Sequence, residues 1–201
     1  FSRKSKSLCK KTLGFDAETG IIALIAGNLT DRNKGFSWAV ETLALLPEKI
    51  KRSFRLLCIG TSPHNPPSQL SGFQAIWTGF VQDQRLLSLM LNAAELLLYP
   101  SMADNQPLAV IEALACGTPV FAFDTGGISE IIGKGAGAVV PRKDCQALAR
   151  VMCDALLGGR LSSMSDAARA YAEAHFSLEM MADRFIELYR STLENGWGFG
   201  R

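Results

Sequence analysis

The chain has little with which to hold a metal, cross a membrane or grip a polyanion. It has only two histidines, His64 and His175, and they stand far apart. Its five cysteines, Cys9, Cys58, Cys116, Cys145 and Cys153, form no C-x-x-C pair. Neither a metal site nor a redox dithiol is therefore spelled out. The odd, scattered thiols read as reduced, which implies a reducing compartment, the cytoplasm. No apolar run approaches the roughly 18 residues of a membrane span. No charged-then-apolar leader follows Phe1, and the absence of an initial Met is compatible with a domain of a longer chain. The formal net charge is +2, too small to argue for nucleic acid or an anionic membrane as a partner. No G-x-G-x-x-G is present either. The first apolar run ends in Gly27-Asn28-Leu29, so a nicotinamide dehydrogenase or a nucleotide-sugar epimerase of related fold lacks its signature.

What is present is a core. Apolar residues make up 48% of the chain and charged residues 20%, the balance of a globular protein rather than a disordered one. Apolar runs at 21–26, 54–59, 74–77, 95–99, 119–123 and 138–140 read as buried strands. Between them, 35–46, 83–92, 107–115 and 128–132 carry helical periodicity, with Pro107 in the first turn of its helix. Strands buried on both faces that alternate with helices predict a three-layer, doubly wound parallel sheet of the Rossmann-like kind. Residues 144–195 read as helices only, with Asp144 capping the first. The core is expected at about 20–160, with helices over about 144–195, in a single domain spanning 1–201. Residues 1–14 hold Arg3, Lys4, Lys6, Lys10 and Lys11 and no acid. They read as a solvated helix with Leu8 and Leu13 packed inward, or less simply as a phosphate or membrane patch.

Ligands of such sheets sit beyond the carboxyl ends of the strands. The most informative loop follows the strand at 95–99 and carries Asp104, Asn105 and Gln106. A helix then starts at Pro107, and its free N–H groups and dipole favour an anion. Glu112 follows in the second turn and could accept two hydrogen bonds from vicinal hydroxyls of a ribose. Phosphates need cations, and Arg32 and Lys34 supply them from the loop after the first strand. Each also has a plainer reading: Glu112 as an exposed helix glutamate, Asp104 as the cap of a turn, Arg32 and Lys34 as surface bases. Cys116, with no histidine nearby in sequence, reads as a small buried packing residue. Trp38 and Trp77 read as core.

The spacing Asp104-x7-Glu112, followed by EALACGTPV and DTGGISEII, resembles the donor-site signature of glycosyltransferase family 4. DRNKGF at 31–36 and TGFVQDQRLLSLMLNAAELLLYPS at 78–101 are similar to further family segments in the same order. The resemblance implies the C-terminal half of a GT-B fold and a retaining transferase that uses no cofactor and no metal. Its donor would be a UDP- or GDP-sugar. Its acceptor, a sugar or a lipid-linked sugar, would be held by an N-terminal domain that this sequence lacks. Any contact with the inner face of a membrane would run through that domain.

The resemblance also assigns roles. Glu112 would bind the ribose, and Arg32 and Lys34 the diphosphate. Asp104, with the backbone of Asn105, Gln106, Pro107 and Leu108, would contact the sugar and its phosphate. Gly79, Phe80 and Val81 would lie by the base. Lys34, Arg32, Asp104 and Glu112 would form the catalytic set. The sequence departs from the family pattern in three places. Asp104 stands where Glu is usual, Asn28 follows Gly27 where an arginine is common, and Asn33 precedes Lys34 where many relatives have a second base. The variant DNQP-x4-E points to polysaccharide synthesis. A non-catalytic nucleotide-binding module remains the alternative.

Overall fold

The computed structural model describes residues 1–61 and 67–195. His64 and the Gly-rich tail at 196–201, with Trp197, lie outside them. Six strands, β1 (Gly20–Asn28), β2 (Phe54–Thr61), β3 (Gln74–Gly79), β4 (Leu96–Tyr99), β5 (Val120–Phe123) and β6 (Gly137–Val140), form one sheet in the order β3-β2-β1-β4-β5-β6. Every pairing is parallel. The order reverses between β1 and β4, so the crevice above that pair is where this architecture places ligands.

The helices are α1 (Lys6–Thr12), α2 (Phe36–Ala44), α3 (Glu48–Ser53), α4 (Gln84–Ala93), α5 (Leu108–Ala115), α6 (Ile128–Ile131), α7 (Cys145–Leu157), α8 (Leu161–His175) and α9 (Leu178–Asn195). Strand alternation divides the core into two layers. Ile21, Ala23, Leu97, Tyr99, Val120 and Ala122 face α4, α5 and α8. Ile22, Leu24, Leu96, Leu98, Phe121 and Phe123 face α2 and α7. Trp38 and Trp77 border the second layer as half-buried residues. Asp144 caps α7 as the sequence predicts, its carboxylate accepting from the Ala147 amide, and Asp83 caps α4, its carboxylate accepting from the Arg85 and Leu86 amides.

Four details depart from the sequence reading. Pro107 is the N-cap of α5, with ψ 118°, rather than a residue of its first turn. Glu95 precedes β4. A short polar helix, α3, fills 48–53. Leu8 is not packed inward: it is 63% exposed, while Lys10 is 4% exposed. The rotation of α1 has a cause. Lys10 Nζ lies 2.7 Å from Glu95 Oε1, Glu95 Oε2 accepts from the Ile21 amide, and Lys6 Nζ donates to the Ala94 carbonyl. Two lysines thus tie α1 to the amino ends of β1 and β4, and Leu8 is turned to solvent.

Candidate functional site

Three loops meet above the carboxyl ends of β1, β4 and β5. The first leaves β1 through a 3₁₀ turn at Arg32–Lys34, where the Asp31 carboxylate accepts from the Asn33 amide. Gly35 ends that turn at φ 71°, and a Cβ there would stand 1.8 Å from the Pro100 carbonyl oxygen. Only glycine allows the first and second loops to touch. Their contact continues where the Met102 amide donates to the Asn33 carbonyl at 2.7 Å. The third loop closes from the other side. A Cβ on Gly126 would stand 2.1 Å from the Asp104 carbonyl oxygen, and one on Gly127 2.3 Å from that of Asn105. Thr125 Oγ1 donates to the Ser101 carbonyl.

This packing brings Lys34 to Asp104. The ammonium lies 3.0 and 3.1 Å from the two carboxylate oxygens. Tyr99 donates its hydroxyl to Asp104 Oδ2 at 2.9 Å. The Ser101 hydroxyl reaches that same oxygen at 2.5 Å and the Asn33 carbonyl at 3.0 Å. Its one proton goes to the charged acceptor, the stronger partner. Burial alone would raise the Asp104 pKa, but the bonds from Ser101, Lys34 and Tyr99 outweigh it and hold the carboxyl below its ordinary value. Tyr99 is pushed upward by its burial and then by the neighbouring charge, so it stays a hydroxyl donor.

Beside this cluster α5 begins with no side-chain cap. Among the described residues, the amides of Asn105, Gln106, Leu108 and Ala109 donate to no protein acceptor. Such a start offers free N–H groups to an anion. One helical turn on, Glu112 is half-buried and its carboxylate has no hydrogen-bond or ion-pair partner among the described residues. Burial raises its pKa. The α-ammonium of Phe1 pulls the other way, more weakly.

The other predicted residues are more dispersed. Arg32 lines a separate cleft with Asp31, Phe36 and Gln69, and no contact joins it to Asp104. Gly79 turns at φ 71°, Phe80 is 67% exposed, and its ring lies 4.0 Å from where a Gly27 Cβ would be, over the end of β1. Val81 packs on the core. Pro107 is buried and Leu108 exposed. Cys116 is a buried thiol pushed by desolvation to about 11, which keeps it protonated.

Sequence reasoning missed Tyr99 and Ser101, whose only signal was their place between strand and loop. It also missed a cleft of about 600 Å³ lined by Asn105, Gln106, Glu130, Tyr171, His175 and Arg184, because α8 and α9 return to the site from far along the chain. Among the described residues no three His, Cys, Asp or Glu side chains converge as a metal site would need, and no helix is long and apolar enough to cross a membrane.

The chain is similar to known proteins along most of its length. Residues 20–157 match the family model described as glycosyl transferases group 1. A glycosyltransferase named for teichuronic acid biosynthesis, TuaC from Bacillus subtilis (strain 168), is 32% identical over 75% of this chain and 36% of its own length. A GDP-mannose-dependent mannosyltransferase acting on a monoacylated phosphatidylinositol monomannoside, from Corynebacterium glutamicum, is 28% identical over 94% of this chain and 51% of its own. The structure of a sucrose-phosphate synthase from Thermosynechococcus elongatus superposes with a TM-score of 0.80 at 25% identity, covering 98% of this chain and 50% of that one. The chain therefore spans about half the length, or less, of these relatives. The six-stranded sheet with trailing helices is the Rossmann-like half of a GT-B fold, and the chain belongs to the group 1 glycosyl transferases.

Proposed function

We propose that this chain is the donor-holding half of a retaining glycosyltransferase whose donor is a UDP- or GDP-linked sugar. The observation that carries this reading is the uncapped start of α5. The amides of Asn105, Gln106, Leu108 and Ala109, unpartnered among the described residues, follow Asp104, which holds the Lys34 ammonium. A diphosphate fits such a place, since backbone N–H groups and a cation together meet its charge without a metal. Glu112, which has no hydrogen-bond or ion-pair partner among the described residues, takes the ribose hydroxyls. Phe80, with Gly79 and Val81, covers the base at the end of β1. Asn105, Gln106 and the start of α5 meet the sugar and its phosphate.

In transfer, the bond between the anomeric carbon and the diphosphate oxygen breaks and its electron pair stays on the diphosphate. The amides and Lys34 stabilise the charge that develops there, an electrostatic contribution arranged before the reaction begins. The acceptor, a sugar or lipid-linked sugar, belongs to a second half that makes up the remaining length of the relatives. The apolar side chains that α9 exposes, among them Met181, Phe185 and Leu188, suit contact with that half. Synthesis of a bacterial polysaccharide is the setting that the teichuronic acid relative supports.

Calorimetric titration of the chain with UDP, GDP, ADP and NAD, beside Glu112→Ala, tests the reading. UDP or GDP should bind preferentially, and the variant should bind at least about tenfold more weakly, as loss of a charged hydrogen-bond acceptor predicts. Preferential NAD binding, or UDP and GDP binding indifferent to Glu112→Ala, would reject it.

A further inference from the structure

Asp104 occupies the place from which a carboxylate would be expected to read a sugar hydroxyl, yet its oxygens are largely engaged. Oδ2 accepts from Tyr99 at 2.9 Å, from Ser101 at 2.5 Å and from Lys34 at 3.1 Å, and Oδ1 accepts from Lys34 at 3.0 Å. A carboxylate offers about four acceptor directions, so little remains for a ligand. The donors are themselves fixed. Tyr99 is 5% exposed and in register with Ala122 of β5, and Ser101 is 1% exposed with its carbonyl held by Thr125. The backbone before Lys34 is held by the amide of Met102. The ammonium has three N–H bonds, and its contacts with Asp104 leave at least one for a phosphate oxygen.

We propose that Asp104 is a positioning residue: Tyr99 and Ser101 fix its carboxylate so that it holds the Lys34 ammonium against the donor's diphosphate, and the transferred sugar is read instead by Asn105 and Gln106. This rests on the donor-site reading above. It separates two effects that a single loss of binding would confuse. A residue that acts through Lys34 alters affinity for a free nucleoside diphosphate and for its sugar conjugate equally. A sugar ligand alters only the second.

The test measures dissociation constants for UDP, UDP-glucose, GDP and GDP-mannose in the wild-type chain and in Asp104→Asn, Tyr99→Phe and Lys34→Ala, with thermal unfolding as the check on folding. Asp104→Asn removes a negative charge near the phosphates and also releases the ammonium, two effects of opposite sign. The decisive quantity is therefore the ratio of the two constants. The change should be common to nucleotide and nucleotide-sugar within about twofold. A penalty on the nucleotide-sugar more than about fivefold greater would overturn the assignment. Tyr99→Phe keeps every charge. It should weaken both ligands about two- to fivefold, less than the tenfold or more of a hydrogen bond made to the ligand itself, because the loss reaches the diphosphate only through Lys34, and should raise the titration midpoint of the Asp104 carboxyl followed by carbon NMR. An unmoved midpoint would remove Tyr99 from the role, and that readout needs no ligand. Undiminished nucleotide binding in Lys34→Ala would instead sink the donor-site reading itself.

Discussion

Gly35 shows how one residue can hold a site together. Two costs attend any side chain there. The φ of 71° disfavours an L-residue, which costs about 1–2 kcal/mol. The added Cβ would also lie 1.8 Å from the Pro100 carbonyl oxygen, a backbone atom that cannot swing aside. Gly79 separates the two, because its φ is also 71° while nothing lies within 4 Å of an added Cβ. Gly79→Ala should therefore cost about 1 kcal/mol, and Gly35→Ala about 3 kcal/mol together with nucleotide binding. Urea unfolding of the two variants reads the difference. Equal costs would mean that the β1 and β4 loops do not depend on this contact. From the sequence, residue 35 was legible as the start of a helix. That it opens onto Pro100 was not, since the two are 65 positions apart. Tyr99 and Ser101 both bond to nearby Asp104, but the Lys34 that completes that cluster and the Thr125 that holds the Ser101 carbonyl are brought there by the fold, not by spacing along the chain.

At the scale of elements, the strands were legible because continuous apolar runs flanked by glycine or proline leave few alternatives. The short α3, with polar Glu48, Lys49, Lys51 and Arg52 around one buried Ile50, carries too little periodicity to be seen. α1 is the instructive miss. Its basic residues resemble a solvated face, but Lys10 is buried against Glu95, and the desolvation of Lys6 lowers that lysine's pKa. A buried pair adds little over an apolar pair of the same shape, whereas breaking it strands a charge. Glu95→Gln should accordingly cost about 3 kcal/mol by leaving the Lys10 ammonium without its counter-charge. Lys10→Met together with Glu95→Gln should recover most of that loss, because the glutamine oxygen can still accept from the Ile21 amide. A double-mutant cycle by chemical denaturation gives the coupling. Additive losses would place α1 loosely on the sheet, with its lysines in water.

The whole molecule carries an imbalance that no single element explains. The sheet is covered on both faces, yet α9 turns Leu178, Met181, Phe185, Ile186, Leu188, Tyr189 and Leu193 to solvent, each between 46% and 79% exposed. Scattered apolar side chains on a surface are ordinary, but a run of them along one helix marks a surface that associates. An apolar cleft of about 480 Å³, lined by Leu108, Ile111, Phe176, Met181, Phe185 and Leu188, joins α9 to the start of α5. With relatives about twice as long as this chain, the physical expectation is that the chain alone hides this surface by self-association. Sedimentation velocity should show a concentration-dependent shift above the monomer. Phe185→Glu combined with Leu188→Glu should abolish that shift and leave the unfolding midpoint unchanged, since both side chains are about half exposed and contribute little to the core. Nucleotide binding should survive as well, because neither residue touches Lys34, Asp104 or Glu112. A chain that stays monomeric at all concentrations, or a double variant that unfolds far earlier than the wild type, would show that α9 packs on its own domain instead.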